Sequence, residues 1–188
     1  VQGSALAIAV SNAGGLGSLP CAMLSAEALR TELALIQAQT ARPFNLNFFS
    51  HKMPVPDEVR SKAWMDLFAD YYAEFGIDLA TASAGPARMP FNQEMADLVC
   101  EYKPAVVSFH FGLPSLELIS QIRDSGVRII SSATTVEEAL WLEAQGVDAV
   151  IAQGYEAGGH RGMFLTNDIS TQVGTFALLP QVVRAVKI

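Results

Sequence analysis

Apolar residues in the middle of this chain alternate between two periods. Val106-Val107-Ser108-Phe109, Val127-Arg128-Ile129-Ile130 and Ala149-Val150-Ile151-Ala152 are short β-rich runs about 20 residues apart, with the length and composition of buried strands. Between them the spacing turns helical. Leu116, Ile119 and Ile122 fall on one face of a first helix, and Val136, Leu140 and Ala144 on one face of a second. Thr135 with Glu138 makes a capping box at the start of the second helix, and Gly146 stops it. Strand, helix, strand, helix at this short repeat predicts parallel strands joined by right-handed crossovers.

The first half follows the same pattern. Residues 1–13 read as the end of a helix, with Gly14-Gly15 as its C-cap and tight turn. Residues 16–19 read as a short strand, and Ser25 caps a helix whose buried face carries Leu29, Leu33 and Ile36. Residues 44–49 form the next strand. The stretch 51–103 is longer than a simple crossover: Pro54 and Pro56 lead into a helix with Val59, Ala63, Leu67 and Tyr71 on one side. A Gly85-Pro86 turn follows, then a second helix from Asn92 to Tyr102. This excursion leaves from the C-terminal end of a strand, where it either covers a ligand or only packs, and the pattern leaves both open. The strand set is then 16–19, 44–49, 105–110, 127–132 and 148–153.

Composition narrows the function classes. Hydrophobic residues at 51% and charged residues at 16% suit a globular domain with a substantial core. A net charge of −7 argues against a nucleic-acid partner. No apolar run approaches the roughly 18 residues of a membrane span, and the opening apolar run lacks the basic flank of a signal peptide. Cys21 and Cys100 follow no metal or redox spacing and read as ordinary reduced thiols, so the expected compartment is cytoplasmic.

The chemistry concentrates after the last strand, in Gln153-Gly154-Tyr155-Glu156-Ala157-Gly158-Gly159-His160-Arg161-Gly162. Loops at the C-terminal end of parallel strands are where α/β proteins assemble active sites. Adjacent glycines there let a flat ligand approach the backbone, since no Cβ intervenes. His160 follows them directly and can take or give a proton near neutral pH. Asn47 and Gln153 each end an apolar strand, and an amide offers both a donor and an acceptor to a heterocycle edged with carbonyls and ring nitrogens. The alternative for each amide is a strand-end cap bonded to local backbone.

This decapeptide resembles the signature of the nitronate monooxygenase (2-nitropropane dioxygenase) family, FMN-dependent (β/α)8-barrel enzymes. Similar matches lie at 9–19, at Arg42-Pro43-Phe44-Asn45-Leu46-Asn47-Phe48-Phe49 and, more weakly, at Ile130-Ser131-Ser132-Ala133-Thr134. On that template the chain reads as a single partial TIM-barrel domain over 1–188 with the helical excursion 51–103 inside it, truncated so that strand 1 and strands 7–8 are missing. The resemblance implies FMN as cofactor, contacted by Asn47, Gln153 and Gly158, and His160 as the base that removes the α-proton of a nitroalkane. The nitronate is then oxidised with O2 to a carbonyl compound and nitrite. The FMN phosphate is commonly held by loops after the seventh and eighth strands of such barrels, so weak FMN binding by these 188 residues is expected. The alternatives are an NADH-consuming enoyl reductase acting on an acyl-carrier-protein thioester, which shares the barrel and a similar glycine-glycine-histidine loop, and an inactive fragment. Small molecules, not nucleic acid or membrane, are the expected partners.

The other histidines are weaker candidates. His110 ends a strand and either orients substrate or is a bonded structural residue; His51 lies in a proline-containing loop and reads as solvated. Three histidines so scattered along the chain do not predict a metal.

Overall fold

Five parallel strands, β1 (Gly17–Pro20), β2 (Phe44–Phe49), β3 (Val106–His110), β4 (Arg128–Ala133) and β5 (Ala149–Ala152), lie side by side in chain order. The structure is a computed structural model that describes residues 3–78 and 88–188. Every neighbouring pair is parallel, with Leu19 opposite Leu46, Asn47 opposite Ser108, Phe109 opposite Ser131 and Ser131 opposite Val150. All five strands fall within a residue or two of the predicted positions. Short βα repeats leave few other ways to arrange the chain.

Side-chain alternation gives the sheet two different faces. Leu19, Leu46, Phe48, Val107, Phe109 and Ile129 form the core face and are essentially solvent-free. Phe48, Phe91 and Phe109 pack there edge-on or tilted, with centroids 4.8 to 6.4 Å apart. The opposite face carries Ser18, Asn45, Asn47, Ser108, His110 and Ser132. An all-parallel sheet with one strongly polar face is unusual for a purely structural element.

The helices show where the hydrophobic pattern was decisive. In α2 (Ala26–Gln39), Ser25 Oγ accepts the Ala28 N–H at 3.2 Å, and Leu29, Leu33 and Ile36 form the buried face as predicted. Asn92 caps α5 (Gln93–Tyr102) in the same way. α1 (Ser4–Asn12) ends at Gly14, whose φ of +93° turns the chain into β1. β1 then runs so close to α1 that a Cβ on Gly17 would lie 1.9 Å from the Ala7 carbonyl oxygen.

Two helical faces differ from expectation. In α6 (Leu116–Asp124), Ile119 and Ile122 are buried but Leu116 is 64% exposed, because it sits in the first turn, ahead of the surface the helix covers. In α7 (Val136–Ala144) the buried residues are Glu138, Ala139 and Leu142, and Leu140 is exposed. The run Ala139-Leu140-Trp141-Leu142 is apolar all round, so periodicity alone does not fix its face. α8 (Thr175–Ala185) buries Leu178 and Val182.

The chain divides into two compact units, one of residues 1–51 and 89–188 that holds the sheet, the other of Lys52–Arg88. The second contains α3 (Glu58–Asp66) and α4 (Ala69–Glu74), with no buried residue in either helix. The single helix expected through Val59, Ala63, Leu67 and Tyr71 is therefore broken after Asp66, and those side chains are exposed. α5 belongs to the sheet unit, so the separate unit is narrower than 51–103. The predicted Gly85-Pro86 turn lies outside the described residues.

Candidate active site

The polar sheet face is knitted together sideways. Asn45 Nδ2 donates to Ser18 Oγ at 2.7 Å and to Ser108 Oγ at 2.8 Å, and Asn47 Nδ2 donates to the same Ser108 oxygen at 2.8 Å. These bonds fix both amides across three strands. Asn45 Oδ1 is left buried without a protein partner. An unpaired buried carbonyl is costly, and such atoms concentrate where a ligand or water completes the set. Asn47, nearer the strand end, is half-buried.

An aromatic and histidine cluster forms the C-terminal edge of β2 and β3. The Phe49 ring lies 5.1 Å from Phe111, 5.2 Å from His160, 5.8 Å from His110 and 6.4 Å from His51. Phe111 has φ of +69° and is followed by Gly112 at +86°. Two successive left-handed residues turn the chain sharply, and at phenylalanine that conformation is strained. Ser131 Oγ holds the turn by donating toward the Phe109 and Gly112 carbonyls, both at 3.1 Å. The three histidines, far apart in sequence, thus meet around one phenylalanine. His51 is half-buried against Phe49 and Phe111, not solvated, and its Nδ1 has no protein partner. Among the described residues no group of three or more His, Cys, Asp or Glu is placed to hold a metal ion.

The loop after β5 is folded onto this edge by named polar contacts. Gln153 Nε2 donates to the His160 carbonyl at 3.0 Å, and Gln153 Oε1 accepts the Gly162 N–H at 2.7 Å. The amide closes a ten-residue loop, as the strand-end alternative anticipated, while each end keeps one further bonding position. His110 Nε2 lies 3.3 Å from the same His160 carbonyl, and His110 Nδ1 lies 3.0 Å from Ser132 Oγ. A carbonyl can only accept, so Nε2 carries the hydrogen and Nδ1 of the neutral ring accepts from Ser132. Burial pushes the His110 pKa below its ordinary value, with the His160 carbonyl acting against that fall. Gly162 is required by this packing, since a Cβ there would lie 2.5 Å from His110 Cε1. The Arg161 guanidinium donates to the Gly154 and Tyr155 carbonyls and stacks 5.2 Å over the Tyr155 ring. Glu156 accepts the Thr175 N–H at 2.9 Å and so ties the loop to the start of α8.

His160 emerges from this scaffold as an exposed ring set edge-on to Phe49 and, at 5.8 Å and 90°, to Phe111. Gly158 has no atom within 4 Å of where a Cβ would stand, so its backbone is open to approach. Gln153, Gly158 and His160 lie on the loop after β5, whereas Asn47 lies inside β2, two residues before its end and not at it as expected. The sequence reading missed the Asn45–Ser108 pairing, Phe111 and the reach of Glu138 beyond its capping box to Phe164 and Leu165. Phe111 left no local signal, whereas two asparagines in an apolar strand were a visible one.

Comparison with known proteins fits this arrangement. The family model described as "Nitronate monooxygenase" matches residues 1–188. The nitronate monooxygenases of Paraburkholderia phytofirmans and Pseudomonas aeruginosa are each 40% identical over 95% of this chain, which covers 49% and 51% of them. The chain thus spans about half the length of the curated relatives it matches. Among solved structures, nitroalkane oxidase from Streptomyces ansochromogenes superposes with a TM-score of 0.85 and 36% identity over 100% of this chain and 53% of that one. FabK from Thermotoga maritima gives 0.66 and 27% over 99% of this chain and 45% of that one. These matches support the α/β class read from the sequence, with the strand–helix repeat of a TIM barrel. From its first residue to its last, the chain belongs to the nitronate monooxygenase family.

Proposed function

We propose that these residues form part of an active site that oxidises alkyl nitronates and nitroalkanes with FMN and O2, and that His160 moves the α-proton. The observation that carries this reading is the exposed His160 imidazole, held 5.2 Å from Phe49 on a loop whose backbone is fixed by Gln153 and His110. A nitroalkane is a carbon acid. A neutral imidazole held against an apolar wall accepts its proton, and the resulting imidazolium stabilises the nitronate charge. Phe49 and Phe111 give the ring an apolar flank, against which the alkyl part of a substrate would pack. His110, neutral and bonded at both nitrogens, positions the His160 backbone.

The residues present fit a flavin. Asn45 Oδ1 is an unpartnered acceptor on the polar face of the sheet, the Asn47 amide is half-buried on the same face, and the Gly158 backbone is open on the loop that carries His160. Asn47, Gly158 and the remaining positions of the Gln153 amide would hold its ring system. FMN would supply the redox chemistry, taking electrons from the nitronate for delivery to O2, with a carbonyl compound and nitrite as products.

The test is His160→Asn. Turnover of neutral nitroalkanes should fall roughly 100-fold or more, whereas preformed nitronates bypass the proton step and should suffer less. Equal losses on both substrates, at matched flavin content, would remove His160 from proton transfer. The weaker likeness to FabK keeps a second reading in view, an NADH-consuming enoyl reductase. Rapid anaerobic reduction of bound flavin by NADH would favour it.

A further inference from the structure

The side chain of Glu138 is completely buried, yet it lies in the first turn of α7 where a helix needs only a modest cap. Thr135 already supplies that cap, its hydroxyl accepting the Glu138 N–H at 3.2 Å. The Glu138 carboxylate reaches past the expected capping box, whose return bond would go to the Thr135 N–H. Oε2 instead accepts from the Thr134 N–H and the Thr134 hydroxyl, both at 2.7 Å. Oε1 accepts the Phe164 N–H at 2.6 Å and the Leu165 N–H at 3.2 Å. Four donors converge on one carboxylate, which compensates a buried charge as few arrangements do. The bonds of Oε2 suit a helix start. Those of Oε1 serve only the segment that follows His160.

Arg161 in that segment is held by its bonds to the Gly154 and Tyr155 carbonyls, and the Phe164 side chain beyond it is held by apolar contact. The Phe164 ring packs 5.2 Å from Trp141 and against Gly112, where a Cβ would meet it at 3.2 Å. The path from His160 to Leu165 therefore hangs between two polar anchors. Gln153 grips the His160 carbonyl and the Gly162 N–H, and Glu138 grips the N–H groups of Phe164 and Leu165. We infer that Glu138 is a positioning residue for His160: its buried carboxylate fixes the downstream end of the loop and, through it, the place of the imidazole. This inference rests on the proposed role of His160 in proton transfer.

Glu138→Ala removes both pairs of bonds and leaves the Thr135 cap in place. The Phe164 and Leu165 amides should exchange with solvent at least about tenfold faster, while the Val107 amide in the sheet core keeps its protection. Nitroalkane turnover should fall roughly tenfold to 100-fold, because a displacement of about 1 Å at the reacting group has that effect, with a smaller loss on preformed nitronate. Glu138→Gln should recover part of the activity. Its carbonyl can serve Phe164 and Leu165 and its NH2 can donate to the Thr134 hydroxyl, although the Thr134 N–H then loses its acceptor. A folded Glu138→Ala protein with wild-type exchange at Phe164 and Leu165, or with equal losses on the two substrates, would overturn the inference. If alanine prevents folding, Glu138→Asp decides by the same readings, since it keeps a carboxylate for Thr134 but falls short of Phe164. If His160→Asn shows no selective loss, the proton-transfer reading fails, and the exchange rates still judge whether Glu138 holds the loop.

Discussion

His110 is bonded through both ring nitrogens, and its protonation therefore bears on stability. Burial depresses its pKa below the ordinary value of 6.5; the His160 ring, if charged, lowers it further, while Glu138 raises it. In the unfolded chain the same imidazole takes up a proton below about 6.5. The stabilisation from keeping His110 neutral is thus fully present above that value and lost as pH falls through the depressed folded pKa. The melting temperature should drop as pH falls below about 6.5, and His110→Gln, whatever its own stability, should flatten that drop. Parallel curves for the two proteins would show that His110 does not titrate as argued. At this scale the sequence was informative where one short segment carried the signal: His160, Gly158 and Gln153 all lie within residues 153–162. It confined Glu138 to a capping box, because the Oε1 partners lie 26 and 27 residues away, and it put His51 in solvent, because that ring meets Phe111 only in the folded chain.

Elements were legible in proportion to how sharply their polar and apolar positions separated. α2 has one clean apolar stripe and was read correctly to the residue, whereas the apolar run in α7 concealed which side was buried. The loop after β5 looked like a glycine-rich ligand cradle, but its glycines are not equivalent. Gly162 is a packing glycine: a Cβ there would meet His110 Cε1 at 2.5 Å, His110 Nδ1 at 2.9 Å and Gln153 Oε1 at 3.1 Å. Gly158 stands open. Gly162→Ala should push the loop off His110, destabilising the protein by about 1–3 kcal/mol and lowering turnover. Gly158→Ala should leave the melting temperature of the flavin-free protein unchanged and weaken FMN binding, because the new methyl stands where the ring system approaches. Fluorescence titration with FMN and thermal melts separate the two effects. Unchanged FMN affinity in Gly158→Ala would place the flavin away from this backbone.

At the scale of the molecule, sequential parallel strands followed from the βα repeat, and the two-faced sheet followed from strands such as β2, where Asn45 and Asn47 alternate with Phe44, Leu46 and Phe48. What the repeat did not carry was the division at residue 52, because nothing in a proline-rich stretch states whether the helices after it share the neighbouring core. They show no buried side chain: Val59 is 82% exposed and Tyr71 58%. Protease cleavage requires a segment to open locally, and opening is easy where few apolar contacts are lost. Limited trypsin digestion should therefore cut first after Lys52, Arg60 and Lys62, all exposed within 52–88. Arg42 and Lys103 are protected by the prolines that follow them, and Arg123 is tied to the Gln145 and Gly146 carbonyls at 3.1 and 3.0 Å. After the first cuts, residues 1–51 and 89–188 should stay associated, because β2 and β3 pair directly across the interruption with Asn45 to Phe49 opposite Val106 to His110. The measurement is mass spectrometry of the early fragments together with gel filtration of the nicked protein. Early cutting at Arg123 or Arg161, or separation of the pieces after cleavage in 52–88, would mean that the sheet unit does not hold together on its own core.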